Sequence, residues 1–236
     1  MLIRKKNRFW TGLLFSASFL VVLLFIFSPV FNGKNGLEFA DDTFNKLAKG
    51  SSYFIPKVAK EVEPFAGKQF TATVKLEKAD DAARTARLFT LAGATVEIKQ
   101  STLKMGGDLG VVLKSVLQDS DAMYNNNGKA VSDRYGYDEM KVMKDWFQAL
   151  SAMEKVMKKD KHVNEAKIVS EVNRKAIEPA YNFYKIDAQK VSEHAVLLTG
   201  LLIFYVLYTM WWGYGIFYTF EGVGLNMKKA RVKKEV

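Results

Sequence analysis

AVLLTGLLIFYVLYTMWWGYGIFYTF, residues 195–220, contains no charged side chain over 26 consecutive positions. A helix needs about 20 apolar residues to cross the hydrocarbon core of a bilayer, so this stretch reads as a transmembrane helix. Lys228, Lys229, Arg231, Lys233 and Lys234 follow it. A second uncharged run, FWTGLLFSASFLVVLLFIFSPVF at residues 9–31, lies near the other end, behind Arg4, Lys5, Lys6 and Arg8. Basic flanks stay on the cytoplasmic side of a membrane. The expected order is therefore a cytoplasmic tail (1–8), transmembrane helix 1 (9–31), an extracytoplasmic domain (32–194), transmembrane helix 2 (195–220) and a basic cytoplasmic tail (221–236).

The first run is longer than the roughly 7–15 residue core of a cleaved signal peptide. It also leaves through Ser28-Pro29-Val30-Phe31-Asn32-Gly33, with no small-x-small cleavage site, so it reads as an uncleaved signal anchor. The net charge of +10 is concentrated at the chain ends, and residues 9–194 carry only +3 of it. Such a distribution fits topology and attraction to anionic lipid headgroups. A nucleic-acid-binding domain would carry its basic residues as a stripe on the folded surface, and nucleic acid is not an expected partner. There is no cysteine, which removes disulfides and cysteine-ligated clusters. None of the eleven asparagines opens an Asn-x-Ser/Thr acceptor. Both features fit a bacterial inner membrane with the central domain in the periplasm.

Outward from the spans, the periodicities predict an α+β, mostly helical domain. Leu37, Ala40, Phe44 and Leu47 share one face of a short helix that Gly50-Ser51-Ser52 should break, and Ile55, Val58, Ala59 and Val62 share a face of the next. Phe70 to Glu77 alternates as a half-buried strand does. Asp80 is placed to cap a helix over 81–92 that Gly93 ends. Ala94, Val96 and Ile98 alternate again, then the phase slips through Gln100-Ser101-Thr102 before Leu103 and Met105, as at a hairpin or bulge. Gly106-Gly107-Asp108 should end the strands. Asp108 is placed to cap a helix bearing Leu109, Val112, Leu113, Val116 and Leu117 on one face. This is a β-α-β-β-α unit, closed by Asn125-Asn126-Asn127-Gly128. An αα-hairpin follows: Met140, Met143, Phe147, Leu150, Met153 and Met157 stripe one helix with Trp146 beside them. Val163, Ala166, Val169, Val172 and Ala176 line its return after a Lys158–His162 turn. Pro179 should break or kink that return, and Asp187 is placed to cap the second span.

Chemical motifs are sparse. His162 sits in a lysine-rich turn, and His194 precedes the second span without a second histidine in either span to complete a haem site. Asp119-Ser120-Asp121 resembles the start of a calcium loop, but Met123 and Tyr124 occupy positions that need an oxygen ligand and glycine. Gly106-Gly107-Asp108-Leu109-Gly110 lacks both phosphate-loop spacings. Asp41-Asp42 and Asp80-Asp81 read as acids at helix starts. No metal, no cofactor and no catalytic residue is expected. The methionine stripe reads as core filler or as an adaptable groove.

The second span has more aromatic residues than an anchor needs. Tyr205 and Tyr208 lie at depth, where hydroxyls need protein partners. Gly200 and Gly215 permit close helix approach, as do Gly12, Ser16 and Ala17 in the first span. Gly200, Tyr205, Tyr208, Trp211 and Gly215 are therefore the candidate partner-binding residues, facing the chain's own first span or other membrane subunits. Tails this short hold no folded output module. The expectation is a non-enzymatic accessory or scaffolding subunit of a larger inner-membrane protein complex. The alternative is a membrane-tethered periplasmic module that binds a small molecule, lipid or peptide. A monomer with an apolar pocket between the αα-hairpin and the β-α-β-β-α unit would mark the latter.

Overall fold

The computed structural model describes residues 3–225, and the basic cluster from Lys228 to Lys234 lies outside them. The chain divides into two compact units, residues 45–189 and the two flanking ends, 1–44 with 190–236.

The terminal unit is built on α1 (Lys6–Phe27) and α10 (Ala195–Gly222), both long and apolar enough to cross a membrane. Helix α1 stops before the end of its apolar run because Ser28 precedes Pro29, and a residue before proline is pushed out of the helical region; Ser28 has ψ 150°. The two helices pack along their length at small residues: Gly12 faces the Thr219 backbone, Gly215 faces Ser16 and Gly222 faces Phe9. Helix α10 begins beyond His194 rather than at Asp187, and Val191–His194 forms a 3₁₀ turn before it.

The central unit runs α2 (Gly36–Ser51, which begins in the terminal unit), α3 (Ile55–Val62), β1 (Gln69–Lys75), α4 (Ala79–Leu91), β2 (Thr95–Lys99), β3 (Thr102–Asp108), α5 (Leu109–Tyr124), α6 (Gly128–Tyr135), α7 (Glu139–Lys159), α8 (Val163–Val172) and α9 (Glu178–Asn182). The fold is α+β and mostly helical. Its three-stranded antiparallel sheet has the order β1-β3-β2. Phe70, Ala72 and Val74 are buried on β1, and Leu103 and Met105 on β3, so the alternation places one face of the sheet against the helices. The phase slip after Ile98 is a hairpin turn, with Gln100 at φ 54°.

Several local expectations are corrected. Helix α2 continues through Gly50; glycine is needed there because the Gln189 backbone lies where a Cβ would stand, and the Gln189 N–H donates to the Lys46 carbonyl at 3.0 Å. On that helix Leu37 and Phe44 face outward and Leu47 is buried. Asp80 lies in the first turn of α4 and makes no cap. Gly106, Gly107 and Asp108 belong to β3, and the Asp108 side chain then accepts from the Val111 N–H at 3.2 Å, which starts α5 as expected. Helix α6 occupies a segment with no clear apolar period and packs Val131 and Tyr135 inward. Phe147 and Val163 leave their expected core faces and are exposed. Pro179 does not break the return: a π turn over Asn173–Ile177 widens the helix just before it, which suits a residue that cannot donate to the previous turn.

Candidate functional site

Two polar centres hold the helices of the central unit. Asp119 on α5 is buried and accepts from the Tyr135 hydroxyl at 2.6 Å, the Trp146 indole N–H at 3.0 Å and the Arg134 guanidinium at 2.9 Å. Burial pushes its carboxyl above the ordinary aspartate range, opposed by those donors. Burial beside Asp119 raises the Tyr135 phenol well above its usual value. Asp145 on α7 is also buried. It accepts from Arg84 of α4 at 2.8 Å and from the Tyr137 hydroxyl at 3.1 Å, while Arg84 reaches back to Asp81. These carboxylates are fully engaged by neighbouring side chains, which is the condition under which buried charge is tolerated. Asp119, one of the acids of the calcium-like stretch, is therefore committed to the core.

A third centre ties the chain leaving α2 to later segments. The Lys49 ammonium donates to the Asn126 side-chain carbonyl at 2.9 Å and to the Ile186 carbonyl at 2.6 Å, and lies 5.2 Å from the Tyr124 ring centre. Burial lowers its pKa from the usual lysine value.

Among the described residues, a groove of about 460 Å³ with room for a ligand lies between β1 and α7. Thr73, Val74, Lys75, Leu76 and Glu77 form one wall with Asp81; Phe147, Gln148, Ser151, Ala152, Lys155 and Val156 form the other. Its volume falls in the roughly 300–1,000 Å³ range of ligand sites. Phe147 also borders a second, smaller cavity of about 260 Å³ with Met143, Ile177 and Tyr181. The sequence carries one sign of this groove. Trp146 and Phe147 are adjacent, so only one can face the core; Trp146 does, and Phe147 is turned sideways. Ser151 is held from behind: its Oγ accepts from the Asn173 side-chain N–H at 2.9 Å. Asn173 sits in the π turn, is buried, and its side-chain carbonyl has no partner. No sequence pattern marks that pairing.

The residues expected to bind partners divide into two sets. Tyr208 stacks on Phe19 at 4.1 Å, the Trp211 indole N–H donates to Ser18 Oγ at 3.1 Å, and Gly215 faces Ser16. All three thus turn toward α1. Gly200 has no neighbour within 4 Å of an added Cβ, and Tyr205 is 64% exposed. At the far end of the pair, Glu221 accepts from Lys5 at 2.8 Å and lies 3.6 Å from Arg8, while the Arg4 and Lys5 backbone N–H groups both donate to the Gly222 carbonyl at 2.9 Å. His162 and His194 lie at the turns preceding α8 and α10, and among the described residues no cluster of three His, Asp or Glu side chains is placed to hold a metal. No protein-family model, curated protein or solved structure matches this chain.

Proposed function

We propose that this chain is a membrane-tethered, non-enzymatic binding module of a bacterial envelope. Its apolar helices anchor it in the inner membrane, both termini are cytoplasmic, and residues 32–194 present the β1–α7 groove to the periplasm. The observation that carries this reading is the groove itself, which lies between the αα-hairpin and the β-α-β-β-α unit; its lining mixes charged and apolar residues rather than forming the expected apolar pocket. The pairing of α1 with α10 supports it further: Trp211 and Gly215 find their contacts within the chain, whereas the Tyr208 ring stacks on Phe19 but its buried hydroxyl has no hydrogen-bond partner among the described residues. The basic residues before α1 and after α10 support the topology.

A second reading is an accessory or scaffolding subunit of a larger membrane complex. Gly200 and Tyr205 favour it, because they occupy a surface of α10 that α1 does not cover. Two variants separate the readings in the native host. Ala152→Trp fills the groove, and Gly200→Leu with Tyr205→Leu remodels the open surface of α10. The binding-module reading predicts that the first reproduces the deletion phenotype and the second leaves it intact. The reverse result selects the subunit. In the same cells a single cysteine at Ser132 should react with an impermeant thiol reagent and one at Asn7 should not.

A further inference from the structure

Hydrogen-bond parity along β1 defines one wall of the groove. The Leu109 N–H donates to the Lys68 carbonyl at 2.9 Å, and the Leu76 N–H to the Ser101 carbonyl at 2.8 Å. Both pairs continue the β1–β3 register, in which Phe70 faces Gly107, Ala72 faces Met105 and Val74 faces Leu103. In an antiparallel ladder, bonded pairs alternate with non-bonded ones. Even-numbered residues of β1 therefore bond to β3, and the N–H and C=O groups of Thr71, Thr73 and Lys75 point to the free edge. Thr73 and Lys75 line the groove.

We propose that the groove receives an extended segment of a partner protein, which adds to β1 as a fourth strand and sets an acidic side chain beside Lys155 on the α7 wall. This rests on the groove being the binding site. A strand matches the outward N–H and C=O groups at every second residue, which a compact small molecule does not. The opposite wall suits alternating side chains: Phe147, Ala152 and Val156 are apolar, whereas Gln148 and Ser151 are polar. The Ser151 Oγ accepts from Asn173, leaving its own proton to donate to an incoming carbonyl. Lys155 lines the groove and among the described residues has no ion pair, and Glu77 on the opposite wall has none either. Asp81, at one end, is already held by Arg84. The complementary segment is thus extended and carries an acidic residue that meets Lys155.

The test uses the full chain in lipid nanodiscs. The probe is a pool of blocked heptapeptides with glutamate fixed at the centre and Val, Thr, Ile or Phe elsewhere. Residue-resolved hydrogen exchange should slow at least tenfold at Thr73 and Lys75. It should not change at Val96 and Ile98, whose amides point to the other free edge of the sheet by the same parity. The same pool with every amide N-methylated should protect nothing. Lys155→Glu should weaken binding at least tenfold. Thr73→Pro, which removes an outward N–H and no ladder bond, should abolish it. Absence of protection at Thr73 and Lys75, or equal protection by the methylated pool, overturns strand addition. If protection fails while Ala152→Trp still reproduces the deletion phenotype, the groove remains the site and only its occupant is wrong. If both fail, the groove reading falls as well.

Discussion

Trp146 and Trp211 pose the same physical problem in two different settings. Each indole packs among apolar neighbours and has one N–H that must find an acceptor. In the central unit Trp146 donates to the buried Asp119 carboxylate, which also collects Tyr135 and Arg134. Between the apolar helices Trp211 donates to a single serine hydroxyl, Ser18. The first acceptor serves three donors from α6 and α7, and its loss would strand the Tyr135 hydroxyl and the Trp146 indole, while Arg134 keeps its bond to Ser115 Oγ at 2.9 Å. The second joins one pair, beside ring stacking and glycine contacts that persist without it. The central unit concentrates its polar stabilisation in a few buried carboxylates, whereas the helix pair distributes its stabilisation along the interface.

That difference breaks most visibly at Asp119. Asp119→Ala should cost about 3–5 kcal/mol, the usual range when one partner of a buried ion pair is removed. A cooperative melt of the full chain in detergent, followed by near-UV circular dichroism, measures it. A loss under about 1 kcal/mol would show that the centre is solvated and does not organise the helices. Leu113→Ala and Leu150→Ala, both fully buried on α5 and α7, should each cost about 2–5 kcal/mol through lost burial and a residual cavity. Unchanged melting in both would mean that these faces do not form the core.

A finer measurement uses pH. Burial holds the folded Asp119 carboxyl above its ordinary value, so the folded chain retains the proton where the unfolded chain has lost it. The contribution of this group is therefore full below the ordinary aspartate range and declines as pH rises through the raised value. The melting advantage of wild type over Asp119→Asn should shrink as pH rises across the range just above the ordinary aspartate value of about 4. An advantage that grows over this interval would mean that the charged carboxylate is the favoured folded form. The smallest effect belongs to the helix pair: Trp211→Phe should cost only about 0.6 kcal/mol, the average for interhelical hydrogen bonds in membranes. Reversible unfolding in mixed micelles measures it, and a cost above about 2 kcal/mol would put the pair on the same footing as the carboxylate centres.

The legible parts of the molecule are those governed by apolar period. The two uncharged runs, the alternation of Phe70, Ala72 and Val74, and the stripe through Leu109, Val112, Leu113 and Val116 all appear in the elements that carry them. Long-range polar pairing has no period. Asp119 meets Tyr135 and Trp146 only after α6 and α7 fold over α5, and Arg84 meets Asp145 across 61 positions. Backbone approach was hidden for the same reason: Gly50 resembles a helix breaker until Gln189 is seen beside it. The groove was legible only as a place between two units. Its walls depend on which of Trp146 and Phe147 turns inward and on an Asn173–Ser151 contact across 22 positions.

The central claim, that the apolar helices serve each other and leave the groove as the place for a partner, is tested most directly by a cysteine pair at Ser16 and Gly215. A Cβ at Gly215 would lie 3.5 Å from the Ser16 Cα, close enough for a disulfide, and the chain has no native cysteine to compete. Mild oxidation in native membranes should give an intramolecular disulfide, seen as a monomer with shifted mobility that dithiothreitol restores. Disulfide-linked dimers, or no bond at all, would contradict the account, because the Gly215 face would then be turned toward another protein.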